Sequence, residues 1–352
     1  MAKQTRSVSQ SPKSQSPATS GSPGRRRRFA PLVTGTTISL VFAIAAGLGL
    51  ALTTQLQADS VARITEVSAF LTPRAGSFVN YLLVGSDTRE GSDPTSPDYG
   101  GIGDTAETTG RRSDTIMVMH VDTRDSSISL TSIPRDLWID IPGYETNRIN
   151  AAYGYGAAVL VDTVQSSLGI PIHHYIEVNF NSFKSIVAAI DGVELCFEYP
   201  TRDINTGLNI VEPGCFTLDE IQSLAYARSR YYEVFRDGEW DVDGRADLGR
   251  IERQQAFVQA AASKSVSHTA ANPFRAASLI AAAVDSLLAD PSTDVIEVAG
   301  YLRSMASGGL NRFALPVYGE TVDGKSVLLL ERNAADLIGF LAGTAPPPFP
   351  QG

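Results

Sequence analysis

Between Phe29 and Asp59 the chain carries no charged residue, and from Ile38 to Leu52 it is almost wholly apolar. A helix needs about 20 consecutive apolar residues to cross a bilayer. A cleavable signal peptide also begins basic, but its apolar core is only about 7 to 15 residues. The length therefore predicts an uncleaved membrane-spanning helix over residues 29–54. Arg25-Arg26-Arg27-Arg28 stand just before it, and a basic flank stays on the cytoplasmic side. Everything beyond the anchor is then extracytoplasmic. Residues 1–28, rich in Ser, Pro and Gln and without an acid, cannot bury a core and read as a disordered cytoplasmic tail.

That topology changes the meaning of the charge. The formal net charge is −9 and the tail holds seven basic residues and no acid, so the remainder stands at −9 − 7 = −16. An acidic domain outside the membrane is not a nucleic-acid binder. The two cysteines, Cys196 and Cys215, lie where disulfides persist, and the sequence predicts a structural bridge between them.

After a helical stalk or linker over 55–75, a single folded domain is expected over 76–345, with 346–352 as a tail. Strands are expected at Phe78–Gly85, Ile116–Val121 and Ile128–Ile133, each a short apolar run bounded by turn or charged residues. The second and third form an antiparallel hairpin. Charged clusters stand at their ends: Asp87 with Arg89, Arg112 with Asp114, and Arg135 with Asp136. Between the first two lies a loop rich in Gly, Ser, Thr and acid.

A helix is expected from Arg148 through Gln165, a strand over His173–Val178, a helix over Phe180–Ile190 and a strand over Val193–Phe197. His173 and His174 have no further His or Cys at ligand spacing, so one is expected to pack and the other to face solvent. Thr217 with Glu220 matches a capping box for a helix ending at Arg228 and Arg230. An acidic loop follows, with Asp247 as cap of the next helix. On it Arg250, Arg253 and Gln254 share one face. Further helices are expected over Pro273–Leu288 and Val295–Ser304, then a strand over Arg312–Val317 and a strand-helix pair over Ser326–Leu341. Strands interleaved with helices predict a three-layer α/β/α domain with a mixed central sheet.

Residues 228–255 hold six arginines, no lysine and seven acids. This is no generic basic patch, and arginine's rigid fork suits bidentate contacts to phosphate. In order, Gly85-Ser86-Asp87-Thr88-Arg89, Arg112-Ser113-Asp114-Thr115, Ser132-Ile133-Pro134-Arg135-Asp136, Arg148-Ile149-Asn150-Ala151-Ala152-Tyr153 and Ala227-Arg228-Ser229-Arg230 with Arg250 to Gln255 resemble the LytR-CpsA-Psr family of cell-envelope phosphotransferases. The resemblance spans residues 76–345. It implies an extracytoplasmic enzyme that moves a glycan from a polyprenyl-pyrophosphate carrier to peptidoglycan through a phosphodiester.

The resemblance further implies that Asp87 and Asp114 hold a divalent ion, Mg²⁺. Arg89, Arg112, Arg135, Arg228, Arg230, Arg250 and Arg253 would grip the pyrophosphate, with Gln254 beside them. Asp87 and Asp114 are 114 − 87 = 27 positions apart, a longer connection than the family usually has. Displacement at phosphorus is catalysed mainly by positioning and charge stabilisation, which suits this residue set. Asp136, Asp247 and a metal-held carboxylate are all candidates for the group that takes the acceptor's proton. Two other readings use the same residues: a pyrophosphatase acting on the lipid carrier, and a non-catalytic lipid-glycan binding protein.

Overall fold

The computed structural model describes residues 61–87, 113–271, 279, 281–282, 287–306 and 310–348. The predicted tail, the anchor, Arg89, Arg112 and the loop between them lie outside the described residues. No helix among the described residues is long and apolar enough to cross a membrane.

In chain order, β1 (Ala62–Arg63), β2 (Phe78–Ser86), β3 (Ser113–Asp122) and β4 (Ile128–Ser132) precede two short strands, β5 (Trp138–Ile139) and β6 (Asn147–Arg148). Helices α1 (Asn150–Tyr155) and α2 (Ala157–Leu168) lead to β7 (His174–Val178) and α3 (Phe180–Ala189). Four strands follow: β8 (Val193–Phe197), β9 (Thr201–Asp203), β10 (Leu208–Ile210) and β11 (Gly214–Leu218). Next come α4 (Glu220–Arg228), β12 (Glu233–Arg236), β13 (Glu239–Val242) and the long α5 (Ala246–Ala271). The chain closes with β14 (Leu287–Ala289), α6 (Val295–Ala306), β15 (Leu310–Ala314), β16 (Val317–Val322), β17 (Lys325–Leu330) and α7 (Ala334–Leu341).

Seven strands form a mixed sheet in the order β1-β14-β7-β2-β3-β4-β15. The β7–β2 pair is parallel, while β2–β3 and β3–β4 are antiparallel. Side chains alternate between the two faces of a strand. Leu82, Val84, Ile116 and Val118 pack with Tyr153, Leu160, Val164 and Phe340 on one face. Tyr81, Met117, Met119 and Leu130 pack with Ala262 and Met305 on the other. Helices thus cover both faces, so the central strands are continuous apolar runs rather than alternating ones.

A third cluster gathers Val187, Leu195, Phe197, Leu208, Leu218 and Tyr226 around Phe257 of α5. Here Cys196 of β8 lies directly opposite Cys215 of β11, and the two form the expected disulfide.

Several expectations are corrected. Residues 61–75 are not a standing helical stalk, because Val61 and Val67 are buried and β1 pairs with β14 at the sheet edge. The helix expected from Arg148 begins at Asn150 and breaks at Gly156, whose φ of 134° no other residue adopts easily. Both His173 and His174 are buried. Asn80 N donates to His173 Nδ1, and His174 stacks on Tyr81, so neither faces solvent.

Thr217 is held in β11 opposite Glu194, so the cap of α4 moves to Asp219, which accepts from the Ile221 and Gln222 amides. Asp247 lies inside the first turn of α5 and does not cap it. The acidic loop is a hairpin, β12–β13. Leu287 and Leu288 belong to β14, not to a helix.

Candidate active site

Antiparallel pairing explains why Asp114 and Arg135, far apart in sequence, meet. The end of β2, the start of β3 and the end of β4 fall at one end of the sheet, and β7 ends there too. At that end Gly85 pairs with Thr115 and Ser86 with Ser113, which leaves Asp114 as the extra residue of a bulge. Bulges re-aim side chains, and Asp114 lines a cavity at this end of the sheet. Gly85 has no room for a side chain, since a Cβ there would lie 2.9 Å from Thr115 Cβ.

The cavity has a volume of about 410 Å³, within the usual ligand range of roughly 300–1,000 Å³. Its walls are apolar, from Leu83, Met117, Ile176, Phe183, Leu224 and Phe257 among others. Its polar groups include Asp114, Arg135, Arg228, Arg230, Arg250 and Gln254. Ordinary amphipathic patterning put the apolar residues inside; only the packing of α3, α4 and α5 over the sheet leaves space between them.

The charged residues are tightly coupled. Arg135 Nη1 pairs with Asp114 Oδ1, and its Nε lies 3.6 Å from Asp136 Oδ2 and 3.7 Å from Asp247 Oδ1. Asp247 also faces Arg250 Nη2 at 2.6 Å and Arg230 Nε at 3.8 Å. Arg250 Nη2 donates to the Asp114 carbonyl at 3.0 Å. Burial works against the Arg135 charge, but Asp114, Asp247 and Asp136 outweigh it and raise its pKa. Burial lowers that of Arg250, with Asp247 opposing and Arg135 adding to the effect.

This cluster is short of hydrogen bonds. The Nε atoms of Arg135, Arg230 and Arg250 are buried without a hydrogen-bond partner, and so are both carboxylate oxygens of Asp247. Buried polar groups are nearly always paired in native proteins, which makes this end the candidate for a polar ligand.

Not every expected residue reaches the cavity. Asp87 is half-buried just beyond β2. Asp136 sits behind Arg135, shared with Arg148 Nε at 3.6 Å. Arg228, over the Phe180 ring at 4.7 Å, and Gln254, whose Nε2 donates to the Ala227 carbonyl, do line the cavity. Arg253 departs most: it is buried, donates to Ser229 O and Asp243 Oδ2, and stacks on Tyr232. It does not line the cavity, although it lies on the helix face expected to do so.

Asp203 is a lining residue the sequence reading missed. Its only sequence signal is the turn-rich run Asp203-Ile204-Asn205-Thr206-Gly207, which says nothing of a partner 26 positions on.

Among the described residues no group of three or more His, Cys, Asp or Glu is gathered for a metal ion. Mg²⁺ needs fewer protein ligands when substrate oxygens and water complete its shell. Asp87, just beyond β2, and Asp114, near the start of β3, stand at the ends of neighbouring strands.

The LytR_cpsA_psr family model matches residues 49–338. The probable cell wall biosynthesis protein LcpB of Corynebacterium glutamicum is 33% identical over 300 residues, covering 84% of this chain and 68% of that protein. The polyisoprenyl-teichoic acid–peptidoglycan teichoic acid transferase TagU of Enterococcus faecalis is 33% identical over 191 residues. That match spans 52% of this chain and 56% of the relative, little more than half of each. The fold matches a LytR-Csp2A-Psr enzyme from Actinomyces oris with a TM-score of 0.60, at 24% identity, over 80% of this chain and 96% of that one. The chain belongs to the LytR-CpsA-Psr family.

Proposed function

We propose that the protein is a membrane-anchored phosphotransferase that moves a glycan, as its glycosyl phosphate, from a polyprenyl-pyrophosphate carrier to peptidoglycan. One observation carries this reading: an apolar cavity ends in a cluster of arginines whose Nε atoms lack hydrogen-bond partners. Such a space suits a ligand with a long apolar chain on one side and a pyrophosphate on the other. The name of the TagU relative describes a transfer of this kind.

In this reading Arg135, Arg228, Arg230 and Arg250 neutralise the pyrophosphate and the charge that grows on the leaving phosphate. The acceptor hydroxyl oxygen forms a bond to the glycan-bearing phosphorus, the bond from that phosphorus to the bridging oxygen breaks, and polyprenyl phosphate leaves. Asp87 and Asp114 would hold Mg²⁺, which supplies further charge neutralisation on phosphate oxygens. Asp136 and Asp247 are the candidate proton acceptors.

The test uses the full chain in detergent micelles with Mg²⁺, a short-chain polyprenyl-pyrophosphate glycan and an uncross-linked peptidoglycan oligomer. Mass spectrometry should find a phosphodiester-linked conjugate that disappears in Asp114→Ala. Polyprenyl phosphate without conjugate would mark a pyrophosphatase instead, and tight binding without turnover a carrier-binding protein.

A further inference from the structure

Helix α4 ends at Arg228, and its cap Ser229 turns the backbone to φ −58°, ψ 124°. The segment Ser229-Arg230-Tyr231 therefore leaves the helix with backbone groups that the helix no longer satisfies. Two residues take them up. Asp203 Oδ2 accepts from Ser229 Oγ at 2.7 Å and from the Arg230 and Tyr231 amides at 3.0 Å each. Arg253 Nη2 donates to the Ser229 carbonyl at 2.8 Å, and its Nη1 donates to Asp243 Oδ2 at 3.1 Å.

The other oxygen of Asp203 accepts from the Asn205 and Thr206 amides. One fully buried carboxylate thus joins two segments that both line the cavity. A cluster of five donors around one side chain requires an acceptor-only group, which a carboxylate is and an amide is not. Burial would raise the Asp203 pKa, but these donors outweigh burial and hold it below the usual carboxylate range.

The side chain of Arg230 is not fixed in the same way. Its Nε is buried without a hydrogen-bond partner, and the Asp247 Oδ1 contact at 3.8 Å is beyond hydrogen-bonding distance. Where its guanidinium sits depends on where its backbone is held.

We infer that Asp203, with Arg253 holding the Ser229 carbonyl, is a positioning clamp that sets Arg230 at the charged end of the cavity. This rests on the pyrophosphate-binding reading. Each acts through the segment Ser229 to Tyr231.

The test measures binding of geranylgeranyl pyrophosphate and of geranylgeraniol to the full chain in detergent micelles. Wild type should favour the pyrophosphate strongly. Asp203→Asn should weaken pyrophosphate binding by about tenfold or more and leave the alcohol unchanged. Arg230→Ala should weaken it similarly, and the double variant should lose little beyond Arg230→Ala alone, because both changes remove one coupled interaction.

Independent, additive losses, or an Asp203→Asn protein that binds pyrophosphate like wild type while Arg230→Ala does not, would overturn the clamp and leave the proposed function standing. A wild type that binds the alcohol and the pyrophosphate equally would overturn both. Ser229→Ala removes a single donor to Asp203 and should give the same headgroup-selective loss, smaller in size. It decides the matter if Asp203→Asn does not fold, and a loss of alcohol and pyrophosphate binding alike would count against the clamp.

Discussion

The two ends of the central sheet both bury charge, but they treat it differently. At the end away from the cavity, Asp290 is fully buried and each oxygen is used. It accepts from the Tyr175 and Ser292 amides and from the hydroxyls of Ser292 and Thr293, with His174 Nδ1 at 3.4 Å. Burial alone would raise its pKa, yet these donors hold it far below the usual carboxylate range. Arg74 and Glu297 nearby form a two-pronged pair at 2.9 Å.

At the cavity end, Asp247 is just as crowded, yet neither oxygen has a hydrogen bond of good geometry, and three arginines around it keep an unpartnered Nε. The contrast separates two uses of buried charge. A satisfied carboxylate orders loops, whereas an unsatisfied cluster costs stability unless a ligand completes it, as the proposed function requires.

The largest expected effect breaks the contrast at the cavity end. Arg135→Ala should reduce conjugate formation by about a hundredfold or more while moving the thermal midpoint little. A collapse of the midpoint would show that this end is structural as well. At the other end Asp290→Asn should do the reverse. It should cost about 3 kcal/mol of stability in urea unfolding and leave affinity for a prenyl pyrophosphate unchanged in the folded fraction.

A pH titration sharpens the same comparison. His120 and His173, both buried on the Asn80 side of the sheet, have pKa values pushed down to about 4, mainly by burial. In the unfolded chain they titrate near the ordinary value of about 6.5. Between those limits the unfolded state binds more protons, so stability is fully present above pH about 6.5 and declines as pH falls towards 4. The loss has an upper figure of about 3 kcal/mol per imidazole, and His120→Gln or His173→Gln should flatten the profile. Smallest of all, Arg74→Ala should cost under about 1 kcal/mol, because that pair is largely exposed. A larger loss would mean that the far end depends on its surface ion pair as well as on Asp290.

Much of the fold was legible because its signals are local. Apolar runs bounded by charge located β2, β3, β4 and β7, and the short link after Val121 implied the β3–β4 hairpin. The two cysteines pair as expected. The errors came where a long-range partner overrode a local rule. Thr217 looked like a cap until strand pairing with β8 claimed it, and residues 61–75 looked like a stalk until β1 added itself to the sheet edge.

For the site, the sequence by itself determined which residue types were present and, through helical period, that Arg250, Arg253 and Gln254 share a face. The tertiary structure decided what each one meets. Arg250 and Gln254 reach the cavity, whereas Arg253 is turned to the carbonyl of Ser229. Asp114 enters the cavity because a bulge opposite Gly85 and Ser86 re-aims it, and Asp203 matters because the chain folds back 26 residues later to lay three donors against it. Periodicity fixes direction over one or two turns. Whether a guanidinium finds a ligand or a backbone oxygen depends on contacts tens of residues apart, and only the packed chain brings those together.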